Sequence, residues 1–78
     1  MNIEKVIEVL NEVKPGVDFS KENDLVERHI LSSMEIVMLV SELSEEFDVD
    51  IPLPEVVPEN FYSAQTIAKL IERMEDED

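Results

Sequence analysis

Ser33 is the side chain best placed for covalent chemistry. It lies in the run Ile30-Leu31-Ser32-Ser33-Met34-Glu35-Ile36-Val37, where an apolar loop end meets a strongly periodic helix. Ser32 and Glu35 have capping-box spacing: the serine oxygen accepts from the amide three residues on, and the glutamate reaches back to the serine amide. With Ser32 as the cap, Ser33 becomes the first helical residue, its hydroxyl at the positive end of the helix dipole. Neighbouring amides at such an end suit a phosphate. The motif therefore makes Ser33 a place where a phosphodiester can be attached. A plainer reading stays open on this motif alone, in which two serines merely start a helix, serine being a common N-cap worth about 1 kcal/mol.

Other chemistry is poorly supported. His29 is the single histidine, and no acid is spaced to make it a base, so it reads as a loop residue. Asp48, Asp50 and Glu59 fall at positions 1, 3 and 12 of a calcium loop. Pro52 then occupies position 5, and Leu53 stands where such a loop needs glycine, which argues against calcium. There is no glycine-rich phosphate loop. With no nucleophile and base pair either, the expectation is a protein that carries or binds and is not an enzyme.

Size and charge narrow the class further. Seventy-eight residues make one domain, of a size that buries only about 60–65% of its unfolded surface. No cysteine is present to add disulfides or thiolate metal sites. A single glycine and four aromatic residues, Phe and Tyr together, argue against a sandwich or barrel, which needs frequent turns. No apolar run is long enough for a membrane span, and no signal-peptide pattern opens the chain, so a soluble cytoplasmic monomer is expected. Twenty acids against six bases give a net charge of −14. Such a surface repels nucleic acid and anionic membrane, and it attracts a partner with a basic patch. Acidity can also signal disorder, but 44% hydrophobic residues in periodic placement predict a folded chain.

The elements that must position Ser33 follow from apolar spacing. Asn2 can cap a first helix to about Lys14, with Ile3, Val6, Ile7, Leu10 and Val13 on one face, and Pro15-Gly16 stops it. Residues 15–32 form a long connection whose Val17, Phe19, Leu25, Val26, Ile30 and Leu31 are too apolar for a solvated linker. It is expected to lie across the bundle with these side chains inserted, a crossing that parallel packing of the first two helices needs. The second helix runs from Ser33 to about Phe47. Its core stripe is expected at Ile36, Val40, Leu43 and Phe47, flanked by Val37 and Leu39.

The opposite side of that helix carries Met34, Met38, Ser41, Glu42 and Glu45, an adaptable apolar spot beside carboxylates. A loop or later helix folding over the methionines is the alternative. Glu45, Glu46 and Asp48 also crowd the helix C-terminus, where the dipole favours cations. Pro52, Pro54 and Pro58 punctuate residues 48–62, which leave room for a short helical turn within Glu55 to Phe61. A last helix starts near Ser63 and runs to about Met74, with Ala64, Ile67, Ala68, Ile71 and Met74 inside. The organisation is thus a single domain over residues 1–74 and a frayed acidic tail over 75–78.

With these residues in view, the chain resembles an acyl carrier protein over nearly its whole length. That family's signature is Asp-Ser-Leu or Asp-Ser-Met at the start of its second helix. Here the triplet reads Ser32-Ser33-Met34, followed by Glu35-Ile36-Val37-Met38-Leu39-Val40, Leu43, Glu45-Glu46-Phe47 and Ile51-Pro52. The closing Pro58-Glu59-Asn60-Phe61 and Ile67-Ala68-Lys69-Leu70-Ile71 is similar to free-standing carriers that feed amino acids or unusual acyl groups into specialised pathways.

The resemblance implies an all-α, four-helix bundle with three main helices, a short third helix and a long first loop. It implies a 4′-phosphopantetheine arm, drawn from coenzyme A, on Ser33, with acyl or aminoacyl cargo held as a thioester on the arm's thiol. Met34, Val37 and Met38 would be the apolar contact for partners, and Glu35, Glu42, Glu45 and Glu46 would meet their basic patches. Those partners are a phosphopantetheinyl transferase, an acyl- or aminoacyl-activating ligase, and downstream acyl transferases or synthases. A space between the second helix, the short third helix and Phe61 could shelter an acyl chain, with core packing the alternative use of those side chains.

Two positions depart from the pattern. Ser32 replaces aspartate, keeping the cap and losing a charge that the transferase could read. His29 stands where many relatives have glycine, so the backbone there is expected to be strained or reshaped. Three rival readings follow from the residues: an unmodified carrier-like acidic adaptor, an acidic decoy for a basic nucleic-acid site, and a small metal buffer.

Overall fold

The computed structural model describes residues 3–76, and the proposed Asn2 cap lies outside them. Three α-helices carry the architecture: α1 (Ile3–Val13), α2 (Ser33–Phe47) and α3 (Ala64–Asp76). Among the described residues there is no β-strand, and Asn23 and Ser63 form one isolated antiparallel bridge. The molecule is a small all-α bundle, as expected.

The expected short third helix is not an α-helix. The segment between α2 and α3 holds a three-residue 3₁₀ turn, Leu53–Glu55, and then a hydrogen-bonded turn closed by the Phe61 amide on the Val57 carbonyl at 3.3 Å. Prolines 52, 54 and 58 explain the difference. Each lacks an amide donor, and each biases the residue before it away from helical geometry. The segment is tied instead by side chains, with Asn60 Nδ2 donating to the Glu55 carbonyl at 2.8 Å.

Val6, Val9 and Leu10 of α1 are buried, with Ile3, Ile7 and Val13 at the edges. Gly16 then takes φ 92, a left-handed value that glycine adopts without a side-chain clash. The connection from Lys14 to Ser32 delivers Phe19, Leu25 and Leu31 into the core. It is fastened to the start of α3 where the Leu25 amide donates to the Tyr62 carbonyl at 3.2 Å. This loop does not set α1 and α2 in parallel. Lys5, near the start of α1, pairs with Glu46 near the end of α2 at 2.7 Å. Lys14, just past the end of α1, pairs with Glu35 at the start of α2 at 3.4 Å. The two helices therefore run antiparallel, and the loop leaves and re-enters at one end, its length used to fill the core.

The buried edge of α2 is also rotated from the expected stripe. Leu39 and Leu43 are fully buried, Ile36, Val40 and Phe47 are half-buried, and Val37 is 64% exposed. Apolar residues occupy every position from Ile36 to Val40, so packing against α1 selects the stripe. In α3, Ala64, Ile67, Ala68, Leu70, Ile71 and Met74 are all buried. Ser63 caps it: the Thr66 amide donates to Ser63 Oγ at 3.3 Å, and the Ser63 amide donates to Thr66 Oγ1 at 3.0 Å. The helix continues to Asp76, so Glu75 and Asp76, expected in a frayed tail, are helical.

Candidate functional site

The start of α2 is a closed capping box. Ser32 has extended backbone angles, φ −78 and ψ 168, and turns the chain into the helix. Its amide donates to Glu35 Oε1 at 2.8 Å, and the Glu35 amide donates back to Ser32 Oγ at 3.2 Å. The Ile36 amide begins the helical ladder on the Ser32 carbonyl at 2.9 Å. The backbone bond from Ser32 holds the Glu35 carboxyl below its ordinary value, and Lys14 adds to the effect. The helix entry is thus fixed from two sides, by its own cap and by the end of α1.

Ser33 is the first residue of α2 and is exposed. The box satisfies the amides of Ser32 and Glu35 and leaves those of Ser33 and Met34, which precede the intrahelical ladder and face outward. A phosphate ester on Ser33 Oγ would meet two amide donors at the positive helix end without displacing any buried group. The Glu35 carboxylate, two residues on, is already engaged by Lys14, which reduces its repulsion of an anion. The residues present fit a phosphodiester.

Beside Ser33, Met34 is 70% exposed and Met38 is 48% exposed, so neither the loop nor α3 covers them. Val37 shares that exposed face. Glu42, Glu45 and Glu46 are exposed as well. Glu46 is committed to Lys5, whose pKa is raised by that hydrogen bond. Among the described residues, Glu42 and Glu45 make no ion pair within 4 Å. The crowding of acids at the end of α2 is partly compensated in two ways. Lys5 accounts for Glu46, and Asp48 leaves the helix in a left-handed conformation, φ 52, its amide on the Ser44 carbonyl. Glu45 keeps an unbalanced charge.

Leu53 is a member of this face that sequence reasoning missed. It is 83% exposed, and the available signal was its place between two prolines, where the chain cannot turn inward as a helix. Leu53 and Val56 join Ile36, Val37 and Val40 around an open groove of about 190 Å³. A smaller cleft of about 90 Å³ lies beyond, lined by Val26, Ile36, Val56, Val57, Pro58 and Phe61. Phe61 is 1% exposed, so its ring serves the core and presents little of itself to that cleft. His29 is exposed in the loop at φ 58, a left-handed backbone where glycine would be at ease.

A helical bundle with an exposed serine at the head of one helix, followed by an apolar and acidic face, is an arrangement that fits a carrier-type domain. No family model matches the chain. Curated relatives do. The D-alanyl carrier protein of Lactococcus lactis subsp. lactis (strain IL1403) is 34% identical over 77 residues, covering 95% of this chain and 96% of the relative. The D-alanyl carrier protein of Lactobacillus acidophilus (strain ATCC 700396 / NCK56 / N2 / NCFM) is 30% identical over 74 residues, 92% of each. The aminoacyl carrier protein 1 of Bradyrhizobium diazoefficiens is 42% identical over 41 residues, 53% of this chain and 46% of the relative. The chain belongs to the acyl carrier protein family of phosphopantetheine-dependent acyl and aminoacyl carriers, and it is a carrier, not an enzyme.

Proposed function

We infer that this protein carries a small aminoacyl group on a 4′-phosphopantetheine arm attached to Ser33 and presents it to partner enzymes. The observation that supports this most is the start of α2: an exposed hydroxyl, two outward amides and a closed cap behind them. In the attachment step, the Ser33 Oγ bonds to the phosphorus of coenzyme A that bears the pantetheine. The diphosphate P–O bond breaks, adenosine 3′,5′-bisphosphate leaves with its electron pair, and the serine proton passes to a base on the transferase. The arm's terminal thiol supplies thioester chemistry. This chain's own residues position the anchor and dock the partners.

The aminoacyl cargo is supported by the names of the relatives, which are D-alanyl and aminoacyl carriers. Met34, Val37 and Met38 form the apolar contact around the anchor, and Glu42 and Glu45 meet basic patches on the transferase, the activating ligase and the downstream acyl transferases. Glu35 and Glu46 contribute less than their sequence positions suggest, because each already holds a lysine of α1. Weak, salt-sensitive contacts of this kind exchange quickly, which suits a cytoplasmic shuttle. Among the described residues, no helix is long and apolar enough to cross a membrane.

Ser32 in place of an acid favours one rival, an unmodified acidic adaptor that no transferase recognises. Incubation with coenzyme A and a permissive phosphopantetheinyl transferase, followed by intact-mass measurement, separates the two. A gain of one arm's mass that Ser33→Ala abolishes is expected. No gain in the unaltered protein would leave the adaptor as the reading.

A further inference from the structure

Lys14 ends α1 and reaches across to the head of α2. Its amide donates to the Leu10 carbonyl at 2.8 Å, so its backbone continues the helix past Val13 before Pro15 stops it. From that fixed origin Nζ stands 3.4 Å from Glu35 Oε2, while Glu35 Oε1 accepts from the Ser32 amide. The acid nearest Ser33 in the sequence is thus engaged on both oxygens. At the far end of α2, Lys5 holds Glu46. Glu42 and Glu45, exposed between the two pairs, are in no ion pair among the described residues.

Opposite charges this close act together as a weak dipole at one Debye length, about 8 Å at physiological salt. A basic patch gains little from them, whereas an unpaired acid keeps its full pull. We propose that Lys14 is a specificity-determining residue of this carrier: it masks Glu35 and so directs basic partners to Glu42 and Glu45. At about 1.5 Å of rise per residue, those acids lie about 13 and 18 Å along α2 from Ser33. The partner selected carries its cations at that distance from the pocket that receives the anchor. The inference rests on attachment at Ser33, and it adds a residue outside α2 that decides where on α2 partners engage.

Bracing the helix entry is the other role open to Lys14, and the two roles predict opposite signs. Ser32 and Glu35 close the capping box with each other, and the box needs no lysine. A brace, once lost, loosens the anchor and weakens recognition. A mask, once lost, uncovers a carboxylate beside the anchor and strengthens the encounter with a basic partner. The transferase suits the test, because a pocket that binds the phosphates of coenzyme A is cationic and senses charge beside Ser33.

The experiment measures KM and kcat for arm attachment to the full chain, using coenzyme A and a permissive phosphopantetheinyl transferase. Salt is set at about 20 mM and then at about 500 mM. Lys14→Ala is compared with Lys69→Ala, which removes the same charge from an exposed lysine of α3 outside any ion pair among the described residues. At low salt Lys14→Ala should lower KM about two- to fivefold below Lys69→Ala, with kcat within about twofold. At high salt the difference should vanish, and Lys14→Arg should restore the parent's KM. In a Glu35→Gln background, where the amide still closes the cap, Lys14→Ala should gain nothing over Lys69→Ala. Should Lys14→Ala melt below the assay temperature, Lys14→Gln carries the same comparison.

A low-salt KM equal to that of Lys69→Ala would overturn the proposal. A higher KM would also overturn it and leave Lys14 as a brace, and a gain that persists in Glu35→Gln would sink it by pointing to another acid. An unaltered protein that accepts no arm overturns the attachment at Ser33 and this inference with it, whereas loading without the gain overturns this inference alone.

Discussion

His29 keeps its backbone at φ 58, and its amide donates to the Val26 carbonyl at 3.1 Å. Among the described residues three non-glycine residues take such values, Asp24, His29 and Asp48, all of types enriched there, yet each keeps a β-carbon that glycine lacks. A left-handed residue with a β-carbon costs roughly 1–2 kcal/mol, and glycine gives back about half of that through unfolded-chain entropy. His29→Gly should therefore raise the melting midpoint by a few degrees, about 0.5–1 kcal/mol of added stability in a domain of this size. A lower midpoint in thermal unfolding would show that the histidine side chain contributes something its exposure conceals. This strain was legible beforehand only through the resemblance to relatives with glycine at that place, because nothing in the local residue pattern demands a positive φ.

At the scale of the element, α2 shows what a sequence can and cannot specify. Its entry was readable, because a capping box is a contract between residues three apart, and Ser32 with Glu35 meets it in isolation. The lysine that completes it was not, since Lys14 arrives from another helix and its pairing depends on the antiparallel arrangement of α1 and α2. Nor was the rotation of the buried edge. Five consecutive apolar residues give a 3.6-residue periodicity nothing to discriminate, so α1 and the loop choose which of them face inward.

The choice has a measurable consequence. Leu39→Ala should cost about 2–5 kcal/mol in chemical denaturation, the range for a fully buried leucine. Val37→Ala, two residues earlier, should stay within about 0.5 kcal/mol of the parent. Similar losses at both positions would mean that Val37 is covered in solution. In the proline-rich segment a short helical turn was expected within Glu55 to Phe61; one hydrogen-bonded turn closes from Val57 to Phe61, and the 3₁₀ turn lies earlier, at Leu53–Glu55. That turn is what places Leu53 at the rim of the groove, so the error in the element hid a residue of the site.

For the molecule as a whole, charge dominates. A net charge of −14 on 78 residues repels itself in the folded state. The four ion pairs among the described residues are at the surface, where such pairs contribute little, and they do not offset the general repulsion. Raising salt from about 20 mM to about 500 mM should therefore increase the melting midpoint, since screening relieves more repulsion than it weakens attraction. A midpoint that falls with salt would show that the pairs outweigh the repulsion.

Those pairs also decide how the protein can be handled. Lys5 and Lys14, which clasp the two ends of α2, are two of only four lysines, and Lys21 and Lys69 are the ones outside any ion pair among the described residues. Amine-directed conjugation of a dye or resin would neutralise both clasps along with the harmless sites, loosening the helix that presents Ser33. A reporter placed through an engineered thiol on the outer side of α3, at Gln65 or Glu72, leaves that scaffold untouched.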